Sequence, residues 1–270
     1  ASVADLMNQS EAKEDSAAEK NSVGVYGRRH DTFQEMILWG KEGITLVTGD
    51  PKESGFELMV APEAQAFSDL VGVTSACAVD FEADGDLDLV FGTETGIHLY
   101  RNNGDRSFLE LTEFSQLANV PEGLFKLLAV DIDGDLDQDI LGLAPEAEQL
   151  VVLENILHGQ FRLMTLPEGW PRLEEAKDLV VADLDGNLAW DLCELDSKGF
   201  NSTLSRKYVT TGVLTNQKVD LAANSLAVFD LNNDSYLDVF VAGDGVSVFA
   251  GSAAAWVGEL PSSRPLALSG

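Results

Sequence analysis

Residues 80–92 read DFEADGDLDLVFG, a stretch in which five acidic residues within nine positions lead into an apolar run. Like charges separated by a few ångströms repel one another, even in water. A compact arrangement of these carboxylates therefore requires a compensating positive charge. Gly85 permits a sharp turn, and the apolar residues after Asp88 have the pattern of a buried strand. The stretch is thus predicted to be an acidic loop that enters a strand.

The acidic stretch recurs three times along the chain. The later copies begin at Asp131, Asp183 and Asp230 and read DIDGDLDQDILG, DLDGNLAWDLCEL and DLNNDSYLDVFVAG. The four starts lie about 50 residues apart, a period typical of a four-stranded propeller blade and too long for a helical hairpin repeat. Residues 80–88, 131–139, 183–191 and 230–238 are called the first, second, third and fourth loops below.

A fifth repeat unit is indicated upstream, because Trp39-Gly40 corresponds in spacing to the Phe-Gly dipeptide that follows the first loop. Projection of the acidic loop back by one repeat falls on Arg28, Arg29 and His30, where the ligand carboxylates are absent. Two interpretations of these residues stay open. They are either cationic side chains that replace a lost metal ion or a patch that binds an anion.

The repeats define the predicted domain organisation. Units begin near residues 21, 73, 124, 176 and 223, and residues 1–20 form a polar tail or linker rich in Glu, Lys, Ala and Ser. Short apolar runs enter and leave each acidic loop, and they are typical of strands buried on both faces. The predicted fold class is all-β, a β-propeller of four-stranded blades that extends over residues 21–270.

The spacing of oxygen-bearing residues predicts calcium sites. Loop positions 1, 3, 5 and 9 supply side-chain oxygens and position 7 supplies a backbone carbonyl, whereas zinc would require His or Cys and magnesium a tighter octahedron. About four calcium ions are expected, one for each loop. The predicted ligands are Asp80, Glu82, Asp84, Asp86, Asp88, Asp131, Asp133, Asp135, Asp137, Asp139, Asp183, Asp185, Asn187, Ala189, Asp191, Asp230, Asn232, Asp234, Tyr236 and Asp238.

Position 6 of the loops makes a separate prediction about the backbone. It is glycine in the first loop, where a positive φ costs little, but Leu136, Leu188 and Ser235 in the others. These three turns must either adopt a φ that a side chain tolerates poorly or follow another path. An EF-hand is excluded, because its loop ends in a bidentate Glu at position 12 between helices. Here position 12 is a glutamate only in the third loop, at Glu194, within an apolar strand pattern.

These loops resemble the FG-GAP/VCBS repeats of integrin α-subunit propellers and of many bacterial surface and secreted proteins. The resemblance rests on the four DxDxDGxxD-type loops, on Phe91-Gly92, on Gly-Leu-Ala-Pro at 142–145 and on GIHLYRNNGDRSF at 96–108. It implies a β-propeller whose calcium loops bridge two strands of a blade, away from the ligand-binding face. Only five units are recognisable and related propellers often have seven, so the chain is either a five-unit ring or part of a larger propeller.

Composition restricts the possible partners. The chain of 270 residues has 46 acidic against 17 basic residues and a formal net charge of −29, which disfavours nucleic acid and anionic membranes. No apolar run is long enough to predict a membrane-spanning helix, so membrane insertion is not expected. Cys77 and Cys193 lie in apolar strand patterns and are interpreted as free core thiols. The opening ASVADLMN suggests a processed or excised piece of a longer protein.

Two classes of function fit the sequence. No nucleophile elbow or phosphate-binding loop is present, and His30, His98 and His158 lack metal-ligand spacing. The favoured class is a binding or adhesion module in which calcium is structural and one propeller face binds a protein or glycan. The alternatives are the scaffold of a secreted polysaccharide lyase or hydrolase, or one segment of a larger surface protein. Weak calcium sites predict an extracellular, cell-surface or periplasmic location.

Overall fold

The structure is a computed structural model, and it describes residues 22–27, 34–50, 55–58, 66–104, 107–117, 119–144, 150–157, 159–166, 173, 175–184, 188, 190–197, 199–206, 209–218 and 222–251. Within these ranges the regular structure consists of β-strands, apart from a 3₁₀ turn at residues 66–67. None of the described residues belongs to a helix with the length and hydropathy needed to cross a membrane. The all-β prediction is confirmed.

The strands of the described residues follow one another in short antiparallel runs, which are β1 (Ser22–Gly27), β2 (Gln34–Gly40), β3 (Gly43–Asp50), β4 (Gly55–Leu58), β5 (Val73–Val79), β6 (Asp88–Thr93), β7 (Gly96–Asn102), β8 (Phe108–Glu110), β9 (Lys126–Val130), β10 (Asp139–Leu143), β11 (Val151–Asn155), β12 (Phe161–Leu163), β13 (Asp178–Ala182), β14 (Asp191–Leu195), β15 (Gly199–Arg206), β16 (Val209–Lys218), β17 (Ala223–Phe229), β18 (Asp238–Gly243) and β19 (Val246–Phe249).

The strands form five sheets, each made of strands that are consecutive in the chain. Four sheets have four strands in the order β1-β2-β3-β4, β5-β6-β7-β8, β9-β10-β11-β12 and β13-β14-β15-β16, and β17-β18-β19 form a three-stranded sheet within the described residues. Two compact units contain these sheets, the first essentially β1–β12 and the second β13–β19. Each acidic loop connects the first two strands of its sheet, namely β5–β6, β9–β10, β13–β14 and β17–β18.

The second strand is the most buried strand in three of these sheets. Every residue of β6, β10 and β14 is buried, as expected for a continuous apolar strand covered on both faces. In the first unit Phe67 packs edge-on against Phe91 and Tyr100, with ring centroids 5.6 and 4.9 Å apart. In the second unit a core around Cys193, Val239 and Phe249 joins the last two sheets.

Gly92 shows why the repeat needs glycine after phenylalanine. A Cβ atom at this position would lie 2.7 Å from the carbonyl oxygen of Leu124, in the segment that leads into the next sheet. The same carbonyl accepts a hydrogen bond of 2.6 Å from the Thr74 hydroxyl. A side chain at position 92 would therefore separate two neighbouring sheets of the first unit, because backbone atoms cannot move aside as a flexible side chain can.

Candidate metal centres

The aspartate at position 1 organises each acidic loop by accepting hydrogen bonds from backbone amides further along it. Asp80 accepts from the amides of Asp84 at 3.1 Å and Gly85 at 2.9 Å. Asp230 repeats this with the amides of Asp234 at 3.1 Å and Ser235 at 2.8 Å. The equivalent carboxylates of the second and third loops, Asp131 and Asp183, accept from Gly134, Asp135 and Leu188.

Positions 3 and 5 make shorter-range bonds of the same kind. In the first loop Asp84 accepts from the amide of Asp86 at 2.8 Å, and in the fourth loop Asp234 accepts from that of Tyr236 at 2.9 Å. Position 3 of the second loop, Asp133, accepts from the amide two residues later at 3.2 Å. Side-chain acceptors bonded to nearby amides curl the chain into a compact turn. The bonds therefore hold the backbone of these loop positions in one turn.

Position 6 has a positive φ in all four loops. Of the two alternatives that the sequence left open, an unfavourable φ or another backbone path, the structure shows the unfavourable φ. The angles are 90° at Gly85, 81° at Leu136, 67° at Leu188 and 72° at Ser235. A residue with a Cβ atom adopts this conformation at a cost of about 1–2 kcal/mol. Packing does not offset that cost in the two leucines, since Leu136 is 92% and Leu188 95% exposed. The loop hydrogen bonds therefore impose the turn on the side chain.

Position 9 joins each loop to the interior of its sheet. Its four aspartates, Asp88, Asp139, Asp191 and Asp238, are fully buried. Asp88 accepts from the amide of Phe81 at 3.2 Å within its own loop, and from that of Asn102 at 2.8 Å at the end of β7. Asp238 does the same with the amides of Leu231 and Gly251, both at 2.9 Å. In the first loop this aspartate therefore links the loop to the last residue of the third strand, and in the fourth loop it links the loop to Gly251, just beyond the third strand.

Burial also changes the acidity of position 9 in the first loop. Loss of hydration raises the pKa of Asp88 to about 8, an effect that the two amide hydrogen bonds oppose. A metal ion at this loop would have to displace a proton from the carboxyl group.

The second loop brings three carboxylates to metal-binding distance. Oxygen atoms of Asp131, Asp133 and Asp139 all lie within 4.8 Å of one another, and this is the one such group of three among the described residues. Calcium binds oxygens at about 2.3–2.6 Å, so oxygens at this separation can share one ion. Burial, followed by repulsion from Asp135, raises the pKa of Asp133. An all-oxygen donor set of this kind fits a hard cation such as calcium.

The first loop contains a neighbour that sequence reasoning missed. Arg101, on β7, lies with its Nε 3.8 Å from Oε1 of Glu82, the residue at position 3. Burial raises the pKa of Glu82, and the Arg101 charge acts in the opposite direction. Arg101 also donates to Oδ1 of Asn103 at 2.9 Å, which holds it beside the loop. The only sequence signal for this contact was the presence of an arginine in the GIHLYRNNG segment. That signal does not identify Glu82 as the partner, because the pairing depends on strand register.

Some of the remaining predicted ligands lie among the described residues, and others lie outside them. Asp86 at position 7 is buried, and its counterpart in the fourth loop, Tyr236, is 42% exposed. Asp137 and Asn232 lie in their loops at the expected positions. Asp185, Asn187 and Ala189 of the third loop, and also Arg28, Arg29 and His30, lie outside the described residues. The predicted ligand sets remain predictions.

Solved structures of three proteins share this architecture. An Agrocybe aegerita lectin that recognises non-reducing terminal N-acetylglucosamine matches with a TM-score of 0.62 at 18% identity, over 90% of this chain and 66% of the lectin. A Lactobacillus plantarum protein matches with a TM-score of 0.53 at 14% identity, and the match covers 89% of this chain and 66% of that protein. The Photorhabdus luminescens Tc holotoxin pore matches with a TM-score of 0.53 at 15% identity, and the match covers 91% of this chain and 12% of the pore chain.

The chain spans less than two thirds of the length of each of these proteins. At such low identity the likeness concerns the fold alone, which is β-propeller-like with four-stranded antiparallel sheets. Among curated proteins, no sequence matches the chain significantly. A family model described as FG-GAP-like repeat matches residues 80–142, from the first loop through the second loop to β10. The chain accordingly carries an FG-GAP-like repeat at residues 80–142, as the resemblance of its acidic loops predicted.

Proposed function

We propose that this protein is an extracellular binding module in which calcium ions stabilise the acidic loops and one propeller face binds a protein or glycan. The observation that carries the proposal is the repetition of one loop geometry. In all four loops the position 1 carboxylate accepts loop amides, position 6 has a positive φ, and the position 9 aspartate is buried. In the second loop this turn brings oxygens of three carboxylates within 4.8 Å of one another, so that they can share one calcium ion.

A structural role for calcium follows from the same repetition. A catalytic centre normally occurs once in a chain, whereas these loops recur at the start of successive sheets. An ion in the loop would offset the repulsion among its carboxylates and help to retain the left-handed turn at position 6. The position 9 aspartate would transmit this stabilisation to the sheet, because it is bonded to the end of the third strand in the first loop and to Gly251, just beyond that strand, in the fourth.

Support for a binding role comes from the fold. The Agrocybe aegerita lectin, which has the same architecture at a TM-score of 0.62, recognises a glycan. This is an analogy of fold, and the ligand of the present chain must be identified by experiment. Calcium sites of extracellular modules have dissociation constants of about 10⁻⁴–10⁻³ M, so the location outside the cytoplasm belongs to the same proposal.

Titration calorimetry of the chelator-stripped chain tests the metal component. We expect calcium to bind at about four sites and magnesium to bind more weakly, because magnesium dehydrates reluctantly and needs a tighter octahedron. The variant Asp133→Ala should lose one site, and the matched control Glu122→Ala, at an exposed position outside the loops, should lose none. Absence of calcium binding, or equally tight magnesium binding, would contradict the proposal.

A further inference from the structure

A cavity of about 840 Å³ lies beside the outer strands of the second sheet, outside the four acidic loops. It is lined by His98 of β7, Glu110 at the end of β8, and Thr112, Glu113 and Phe114 in the following turn. Its volume is within the range of about 300–1,000 Å³ found for small-molecule sites. No residue of this lining is a predicted metal ligand.

A hydrogen-bond network fixes the polar wall of the cavity. Oε1 of Glu110 accepts from Nδ1 of His98 at 3.1 Å and from the Thr112 hydroxyl at 3.0 Å. The Thr112 oxygen in turn accepts from the amide of Leu99 at 3.1 Å, which ties the turn to β7. Because an ionised carboxylate can only accept, the imidazole must carry its hydrogen on Nδ1. In the neutral ring this leaves Nε2 as a hydrogen-bond acceptor.

The turn that carries Phe114 is held in place by its neighbour. Ser115 is fully buried, and its hydroxyl lies within hydrogen-bonding distance of the carbonyl oxygens of Leu111, at 2.8 Å, and Gly159, at 2.5 Å. The Ser115 carbonyl also accepts from the amide of Phe161 on β12. Phe114 itself is 53% exposed. The aromatic ring is therefore presented to solvent by an ordered turn, and ligand binding would require little reorganisation there.

The chemistry of the lining selects the class of ligand. Glu110, Glu113 and Nε2 of His98 are acceptors, so they suit a ligand rich in hydroxyl or amide donors. The exposed ring of Phe114 offers an apolar surface for the C–H face of a sugar ring. The lining residues that the structure describes include neither lysine nor arginine, and the net charge of the chain is −29, so an acidic sugar would be repelled.

We propose that the cavity formed by His98, Glu110, Thr112, Glu113 and Phe114 is a binding site for a saccharide residue that carries no negative charge. The ring of Phe114 stacks on the sugar, and the His98–Glu110 pair accepts hydrogen bonds from its hydroxyl or amide groups. The inference rests on the proposed binding function and assigns it to one site. It does not require any of the acidic loops to contact the ligand.

Binding of the full chain to immobilised monosaccharide conjugates tests the assignment. The probes are glucose, galactose, mannose, N-acetylglucosamine and N-acetylgalactosamine, with glucuronic and galacturonic acid as charged counterparts. We expect at least one neutral conjugate to bind and both acids to bind more weakly. Phe114→Ala and Glu110→Ala should each weaken that binding by at least about tenfold, because both remove a direct ligand contact. Phe229→Ala removes another exposed phenylalanine, in the second unit, and should leave binding unchanged.

Failure of this inference can be distinguished from failure of the proposed metal function. Phe114 lies outside the loops, so Phe114→Ala should retain wild-type calcium binding and melting temperature. If calcium binds but no neutral conjugate does, or if neither cavity variant weakens binding, the saccharide site is wrong and the calcium proposal stands. Tighter binding of either acid would also overturn the inference. If a conjugate binds through the cavity but calcium does not bind, the site stands and the metal proposal fails.

Discussion

At the scale of single residues, the loops show that hydrogen bonding can override conformational preference. Leu136 and Leu188 occupy a left-handed turn that favours glycine, and their side chains extend into solvent without packing to offset the cost. The position 1 carboxylate of each loop holds the turn through backbone amides. These two leucines are therefore sites of local strain that the loop hydrogen bonds sustain.

Replacement of Leu136 by glycine should stabilise the metal-free protein. Glycine relieves the strain of about 1–2 kcal/mol but loses about 0.5–1 kcal/mol of backbone entropy on folding, so the expected net gain is up to about 1.5 kcal/mol. The control is Leu136→Ala, which removes the exposed side chain and keeps the strain. Urea unfolding in chelator measures both variants. Equal stability of the glycine and alanine variants would show that the turn is not strained.

Glu194 predicts a pH dependence of stability. Burial, reinforced by the charge of Asp196, raises the pKa of this glutamate to about 7 from an ordinary value of 4.5. The folded state then binds the proton more tightly than the unfolded state, so stability falls as pH rises from about 4.5 to about 7. Glu194→Gln should remove this contribution and be more stable than wild type at pH 8 by about 1–3 kcal/mol. Urea unfolding of both proteins in chelator at pH 5 and pH 8 tests it, and parallel pH profiles would contradict it.

At the scale of elements, the first acidic loop depends on a strand that follows it in the chain. β7 supplies two contacts to the first loop, the amide of Asn102 to Asp88 and the guanidinium of Arg101 beside Glu82. The amide supports the loop whether or not metal is bound. The guanidinium instead places a positive charge where a cation would bind, and the two charges would repel each other.

Removal of the Arg101 charge should increase the calcium affinity of the first loop. Arg101→Gln eliminates a partly exposed charge 3.8 Å from Glu82, and pairs of this kind are worth about 0.2–1 kcal/mol, which corresponds to a change of up to about fivefold. The matched control is Arg162→Gln, because Arg162 pairs with Glu154 on the neighbouring strand. In calorimetric titrations, the calcium site whose affinity changes in Arg101→Gln should be the same site that is lost in Asp84→Ala. An unchanged affinity in Arg101→Gln would show that the guanidinium does not compete with the ion.

At the scale of the whole molecule, net charge is the dominant feature. A formal charge of −29 on 270 residues opposes compaction, and the repulsion is concentrated in the loops. Bound calcium ions would reduce this repulsion at its source, whereas dissolved monovalent salt can only screen it. Calcium should therefore matter most at low ionic strength.

Chelation should lower the melting temperature substantially. At a free calcium concentration about ten times the dissociation constant, each site contributes about 1.4 kcal/mol, and four sites together correspond to a shift on the order of 10 °C or more. Calorimetric scans with calcium, with magnesium and with chelator measure the shift in melting temperature. An increasing concentration of sodium chloride should make the shift smaller. A melting curve that is the same in calcium and in chelator would refute a stabilising role for the metal.

The amino-acid sequence by itself determined the all-β class, the repeat period and the form of the acidic loops. These features are local, because the bonds from the amides of Asp84 and Gly85 to Asp80 span only a few residues and so appear as a spacing pattern. At position 6 the loop spacing left two alternatives open, a positive φ or another backbone path, and only the structure decided for the positive φ at Leu136 and Leu188.

The tertiary structure alone decided which distant residues meet. Arg101 reaches Glu82, and Asn102 reaches Asp88, only because strand pairing places the end of β7 beside the first loop. The cavity around His98 and Phe114 likewise depends on the pairing of β7 with β8 and on the turn that follows. Such contacts join residues far apart in sequence, and side-chain spacing carries no signal for them, because their geometry is set by sheet register and packing.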